Sequence, residues 1–129
     1  MLKDSQAFSG FAVKDLDAAK DFYGQTLGQN VSIGEMGMLE IRLSGGATVM
    51  VYPKADHEPA TYTVLNFPVK DIDAAVDKLT SAGVKMEQYG NPEMPQDGKG
   101  IARDPRGPAI AWFKDPSGNI LAVLQTDRS

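Results

Sequence analysis

Apolar residues in this chain recur with two periods, and the switch from one to the other happens twice. Residues 8–13 and 62–69 are apolar-rich and extended, with a side-chain repeat of two. Each stretch is followed by Lys-Asp and then by a segment whose apolar positions fall at helical spacing. In the first segment these are Leu16, Ala19, Phe22, Tyr23 and Leu27; in the second they are Ile72, Ala75, Val76 and Leu79. The pattern predicts helices over residues 16–27 and 72–82. Asp15 and Asp71 stand where N-caps belong, Asp17 and Asp73 follow in the first turn, and Gly28 and Gly83 stand at the C-terminal stops.

Strand signals follow both helices. In the first half they cover residues 31–35, 38–43 and 47–52, separated by glycines at 34, 37, 45 and 46. In the second half they cover residues 84–89, 109–114 and 119–125. Asp115-Pro116-Ser117-Gly118 forms the turn between the last two. Each half therefore predicts the order β-α-β-β-β. Residues 54–60 form a linker between a first module of about 5–53 and a second of 61–126, in a single domain covering 1–129. Residues 90–108, rich in proline and glycine, are a long irregular loop of the kind that often carries function.

The two halves also repeat in sequence. FAVKDLDAA at residues 11–19 and FPVKDIDAA at 67–75 share seven of nine residues at an offset of 56. Two copies are too few for a solenoid and fit a domain built from two similar halves.

Composition narrows the chemistry. A chain of 129 residues, 42% apolar and 23% charged, can bury a core without staples. With no cysteine, disulfides and thiolate metal sites are excluded. A net charge of −4 argues against nucleic acid. No apolar run is long enough for a membrane span, and the first residues lack the apolar core of a secretory signal, so a cytoplasmic protein is expected.

FAVKDLDAAKDFYGQTLG at residues 11–28 resembles the opening strand and helix of a vicinal oxygen chelate module. AWFKDPSGNILAVLQ at 111–125 resembles the closing hairpin of one. The resemblance implies an α+β fold: two β-α-β-β-β modules form a curved, cup-shaped mixed sheet with helices outside, as in glyoxalases, bleomycin resistance proteins and extradiol dioxygenases. It also implies a homodimer and a ligand held in the cup. In the family's metallo-enzymes, ligands come from the first strand of each module, seven residues before the helix-capping Asp, and from the last strand, four residues after the hairpin glycine. Carried onto this chain, those positions are Phe8, Val64, Ala122 and, by aligning Gly46 with Gly118, Met50. None can hold a hard or borderline cation. A slip of two residues offers Gln6, Thr48, Tyr52, Tyr62, Asn66, Ile120 or Leu124, with no carboxylate or imidazole among them. No metal and no cofactor are expected.

The expected reading is a metal-independent binder of an unidentified small molecule, as in the bleomycin-resistance branch. Its candidate contacts are Phe8, Thr48, Met50, Tyr52, Val64, Asn66, Arg103, Trp112 and Ala122. Trp112 has a competing reading as a core residue beneath a helix. Arg103 and Arg106 could guard the mouth or pair locally with Asp104. Glu35 and Glu40 are candidate general bases, of which at most one faces the cup. His57, the only histidine, is expected to be a solvated linker residue. The alternatives are a lyase, isomerase or dioxygenase-type enzyme with an unconventional site, and a non-catalytic accessory module.

Overall fold

The computed structural model describes residues 1–126. The chain divides into two compact units, Met1–Glu58 and a second beginning at Pro59.

The first unit contains β1 (Ser9–Val13), α1 (Leu16–Asp21), β2 (Asn30–Ile33), β3 (Leu39–Arg42) and β4 (Thr48–Pro53). Its sheet runs β1-β4-β3-β2, with β1 parallel to β4 and the other pairs antiparallel. The Asp15 carboxylate accepts from the Ala18 amide at 3.1 Å and starts α1. Alternation along the strands puts Phe11, Val13, Leu39, Ile41, Val49 and Val51 on one face, all buried. Ala19 and Tyr23 cover that face, and the Phe11 and Tyr23 rings lie 5.9 Å apart. Each fully buried aliphatic side chain here contributes roughly 1.5–3 kcal/mol of burial free energy.

The helix predicted over residues 16–27 is α-helical only to Asp21 and continues as a π-helical turn, Phe22–Thr26. The Leu27 amide donates to the Phe22 carbonyl, five residues back. Gly24 belongs to this turn, and a Cβ there would come within 2.8 Å of Val31 Cγ2. The widened turn and the missing side chain together let the backbone lie against β2.

The second unit contains β5 (Thr63–Val69), α2 (Ile72–Ser81), β6 (Ile110–Lys114) and β7 (Ile120–Gln125), with sheet order β5-β7-β6. Asp71 caps α2 through the Ala74 amide at 3.1 Å, and Gln125 Oε1 accepts from the Ile72 amide at 3.0 Å. The first turn of α2 is thereby tied to the face of β7 that carries Leu121 and Val123. Pro68, which cannot donate to a ladder, sits in β5 at the sheet edge.

Strand pairing follows one register in both units. Gly10 opposes Met50 and Asn66 opposes Ala122; Glu40 opposes Met50 and Trp112 opposes Ala122. The strand expected at residues 84–89 is the exception, since it reduces to a single bridge, Met86 to Phe113. Its backbone is taken by the following loop instead. Gln96 accepts from the Tyr89 amide at 2.8 Å and donates to the carbonyls of Glu87 and Gly100. Gly100 (φ +87°) approaches so closely that a Cβ would lie 3.2 Å from the Glu87 carbonyl oxygen. One glutamine side chain thus supplies hydrogen bonds that a neighbouring strand would otherwise provide.

Candidate functional site

Because the helix of each unit covers one sheet face, the opposite face carries the alternate residues of every strand. In the first unit these are Gly10, Ala12, Ser32, Glu40, Arg42, Thr48, Met50 and Tyr52. In the second they include Asn66, Trp112, Ala122 and Leu124. Of the residues expected from sequence, Thr48, Met50 and Tyr52 lie together on one such face, and Asn66, Trp112 and Ala122 lie together on the other. Trp112 is half-buried, whereas its strand neighbours Ala111 and Phe113 are buried on the α2 side. The core reading of Trp112 is therefore set aside. Phe8 immediately precedes β1 and is 69% exposed. Val64 lies at a β-bulge, where Thr63 pairs with Ile120 and Leu65 with Leu121, so strict alternation breaks at that residue.

Phe8, Met50, Val64 and Ala122, the positions at which the family resemblance would put metal ligands, carry no side-chain oxygen or nitrogen. Ala122 is fully buried. Among the described residues no three His, Asp or Glu side chains come together. The donor set at these positions does not fit a divalent ion. Glu40 is the carboxylate nearest to them in register, across from Met50, and it rests against Gly34. Glu35 lies in the exposed turn between β2 and β3, so Glu40 is the one of the two on the helix-free face.

Trp112 has an aromatic partner that sequence spacing did not single out. The Tyr89 ring stands edge-on to it at 5.5 Å between centroids. Burial, and then the charge of Glu87, raise the Tyr89 phenol above its ordinary pKa. Tyr89 falls at the end of the expected strand that the structure dissolves, which is why strand alternation could not place it.

The arginines of the long loop are spoken for. Arg106 pairs with Asp104 at 3.0 Å, the local ion pair considered from sequence. Arg103 reaches instead to α2, with two hydrogen bonds of 3.0 Å to Asp73, and Lys99 adds contacts to Asp73 and Asp77. The loop is thus pinned to the first turns of α2 by surface charge. The Arg103 guanidinium holds the Asp73 carboxyl below its ordinary pKa, with partial burial opposing and Lys99 assisting. A depressed carboxyl pKa stabilises at pH above the unfolded value of about 4, and that contribution is lost as pH falls through the folded value. Amide exchange at Ile101 and Ala102 is therefore expected to accelerate, relative to the core of β7, as pH falls below about 4. The effect is small because the groups are exposed. An unchanged ratio of rates would show that the pairs do not hold the loop.

His57 departs from the expected solvated state. It is half-buried, and its Nε2 is shielded from solvent with no hydrogen-bond partner among the described residues. Its backbone amide closes a turn onto the Lys54 carbonyl.

Among the described residues no helix is long and apolar enough to cross a membrane. No curated protein matches the chain. Solved structures do. A superfamily member from Sphaerobacter thermophilus superposes with a TM-score of 0.69 at 23% identity, over 93% of this chain and 97% of that one. The genomically encoded fosfomycin resistance protein FosX from Listeria monocytogenes gives 0.70 at 13% identity, over 95% and 93%. TnmS3, an antibiotic binding protein from Streptomyces, gives 0.65 at 24% identity, over 94% and 96%. At these identities the likeness is one of fold. The family model for the Glyoxalase/Bleomycin resistance protein/Dioxygenase superfamily matches residues 7–123, nearly the whole chain, and the protein belongs to that superfamily.

Proposed function

We propose that this protein binds a small molecule on its helix-free sheet faces, without a metal ion. The observation that carries the reading is the donor set. The four positions at which the family resemblance would put metal ligands are apolar, while the helix-free face of the first unit carries Met50 and Tyr52, and that of the second carries the Tyr89–Trp112 ring pair, each suited to a ligand's apolar body. Its structural relatives lend support, since one is described as an antibiotic binding protein and another as a fosfomycin resistance protein. A homodimer belongs to the same reading. Phe8, Met36 and Tyr62, which are 69%, 84% and 69% exposed, are the apolar side chains that a second copy would cover. Light scattering on the purified chain tests this, and a monomer at micromolar concentration would refute it.

Trp112 is the only tryptophan, so its fluorescence reports directly on the proposed surface. Titration with aromatic and amphipathic antibiotics is expected to give a saturable change for at least one compound, unaltered by a chelator. Binding that vanishes with chelator and returns with zinc, nickel or manganese would overturn the metal-free reading. Trp112→Ala, followed by calorimetry, is expected to weaken binding by tenfold or more, since a large apolar contact is worth about 1.5–3 kcal/mol. Its melting temperature should move little, because the side chain lies off the α2 face.

A second reading, metal-free proton transfer, rests on Glu40. Its carboxylate has no hydrogen bond or ion pair among the described residues and shares the face of Met50. An isomerase or lyase activity abolished in Glu40→Gln, with ligand affinity intact, would favour it.

A further inference from the structure

At one end of the first unit's sheet, the start of β2 and the β3–β4 hairpin enclose an open groove of about 550 Å³. Its polar lining comes from Gln29, Asn30, Arg42, Ser44 and Thr48, and Leu43 and the glycines at 28 and 46 complete it. Register aligns three of these in one row across three strands. Asn30 opposes Arg42, and Arg42 opposes Thr48. An amide, a guanidinium and a hydroxyl therefore stand side by side on the helix-free face, one row from Met50.

Charge sets this groove apart. Arg42 has no ion pair or side-chain hydrogen bond among the described residues. The row's counterpart in the second unit is Lys114 opposite Ile120, and there the cation meets Glu87 at 3.7 Å. A smaller cleft of about 220 Å³ in the long loop also contains arginines, but Arg103 and Arg106 are both neutralised by aspartates. The nearest carboxylate on the face, Glu40, leans on Gly34 at the far end of β2 and so turns away from the groove. No acidic side chain lines it. A guanidinium with no partner among the described residues, flanked in register by an amide and a hydroxyl, matches a planar or tetrahedral oxyanion, to which arginine can donate two parallel hydrogen bonds.

We infer that this groove is a binding site for an oxyanion, a carboxylate or a phosphoryl group, carried at one end of the ligand. The inference rests on the preceding reading that the ligand's apolar body lies against Met50 and Tyr52, and it narrows that ligand to an amphipathic anion.

The test uses the full-length chain labelled with nitrogen-15. Inorganic phosphate and acetate are titrated separately at constant ionic strength, with chloride as the control. Saturable shifts are expected at the amides of Gln29, Asn30, Ser44 and Thr48 with phosphate or acetate and not with chloride. The anion that shifts them at the lower concentration identifies the group recognised. Arg42→Gln is expected to weaken this binding about tenfold or more, while Arg42→Lys retains part of it. Spectra of both variants outside the groove report that the fold is kept. Absent or non-saturable shifts in the wild type, or equal affinity in Arg42→Gln, would overturn the inference. Trp112 fluorescence of the wild type, read beside the amide shifts, separates the two readings. A neutral apolar compound that perturbs Trp112 while the wild-type groove takes no anion leaves the metal-free binder standing and removes the oxyanion site. Anion binding at the groove with no compound perturbing Trp112 removes the apolar surface and keeps the groove.

Discussion

Phe113→Ala is expected to destabilise the protein by about 3–5 kcal/mol, the cost of emptying a fully buried aromatic site. Phe113 is 1% exposed, opposes Leu121 in the β6–β7 ladder and holds the bridge to Met86. Its loss leaves a cavity under α2 beside the bridge to Met86. Urea denaturation followed by circular dichroism measures the change. The comparison with Trp112→Ala makes the result diagnostic. The two residues are adjacent in β6 but point to opposite faces, so one substitution should cost stability and the other ligand affinity. A loss below about 1 kcal/mol at Phe113 would mean that the face assigned to the core is the wrong one, because core truncations of this size rarely cost so little.

Asp115→Ala is the second large effect, at roughly 2–4 kcal/mol. Asp115 is 5% exposed, and its carboxylate accepts from the amides of Ser117 and Asn119, both at 2.9 Å, and from Asn119 Nδ2 at 3.0 Å. Asn119 is itself 2% exposed, so removing the acceptor leaves two buried donors without that partner. The cost comes from desolvation that is no longer compensated rather than from the net worth of a hydrogen bond. Asp115→Asn keeps an acceptor for the two amides but sets an NH2 against Asn119 Nδ2, and should fall between wild type and alanine. Thermal unfolding of the three proteins orders them. Equal melting temperatures for Asp115→Ala and wild type would show that the turn closes without its side-chain brace. The turn matters for function because it sets the register that places Ala122 opposite both Asn66 and Trp112.

Much of the fold was legible because its instructions are local. Asp15 and Asp71 cap helices through amides three residues ahead, and Gly28 and Gly83 end them with positive φ; each depends on a few adjacent residues. Strand faces followed from alternation, and seven shared residues at one offset anticipated matching registers in the two units. The apolar character of Phe8, Met50, Val64 and Ala122 was visible in the same way, since side-chain chemistry does not depend on folding.

What the tertiary structure decided involves partners far apart in the chain or packing between elements. The π-helical turn at Phe22–Thr26 lies against β2, where Gly24 meets Val31. The strand at residues 84–89 gave way because Gln96, several residues on, took its backbone hydrogen bonds. Arg103 chose Asp73, thirty positions away, over its neighbour Asp104. The row of Asn30, Arg42 and Thr48 exists only because three strands are aligned in one register. Sequence by itself determined most of the elements, their order and the apolar side chains at Phe8, Met50, Val64 and Ala122, through interactions spanning a turn or a strand. Which polar groups meet was decided by pairing and packing, and so was the placing of Arg42, without a side-chain partner among the described residues, in the groove beside Asn30 and Thr48.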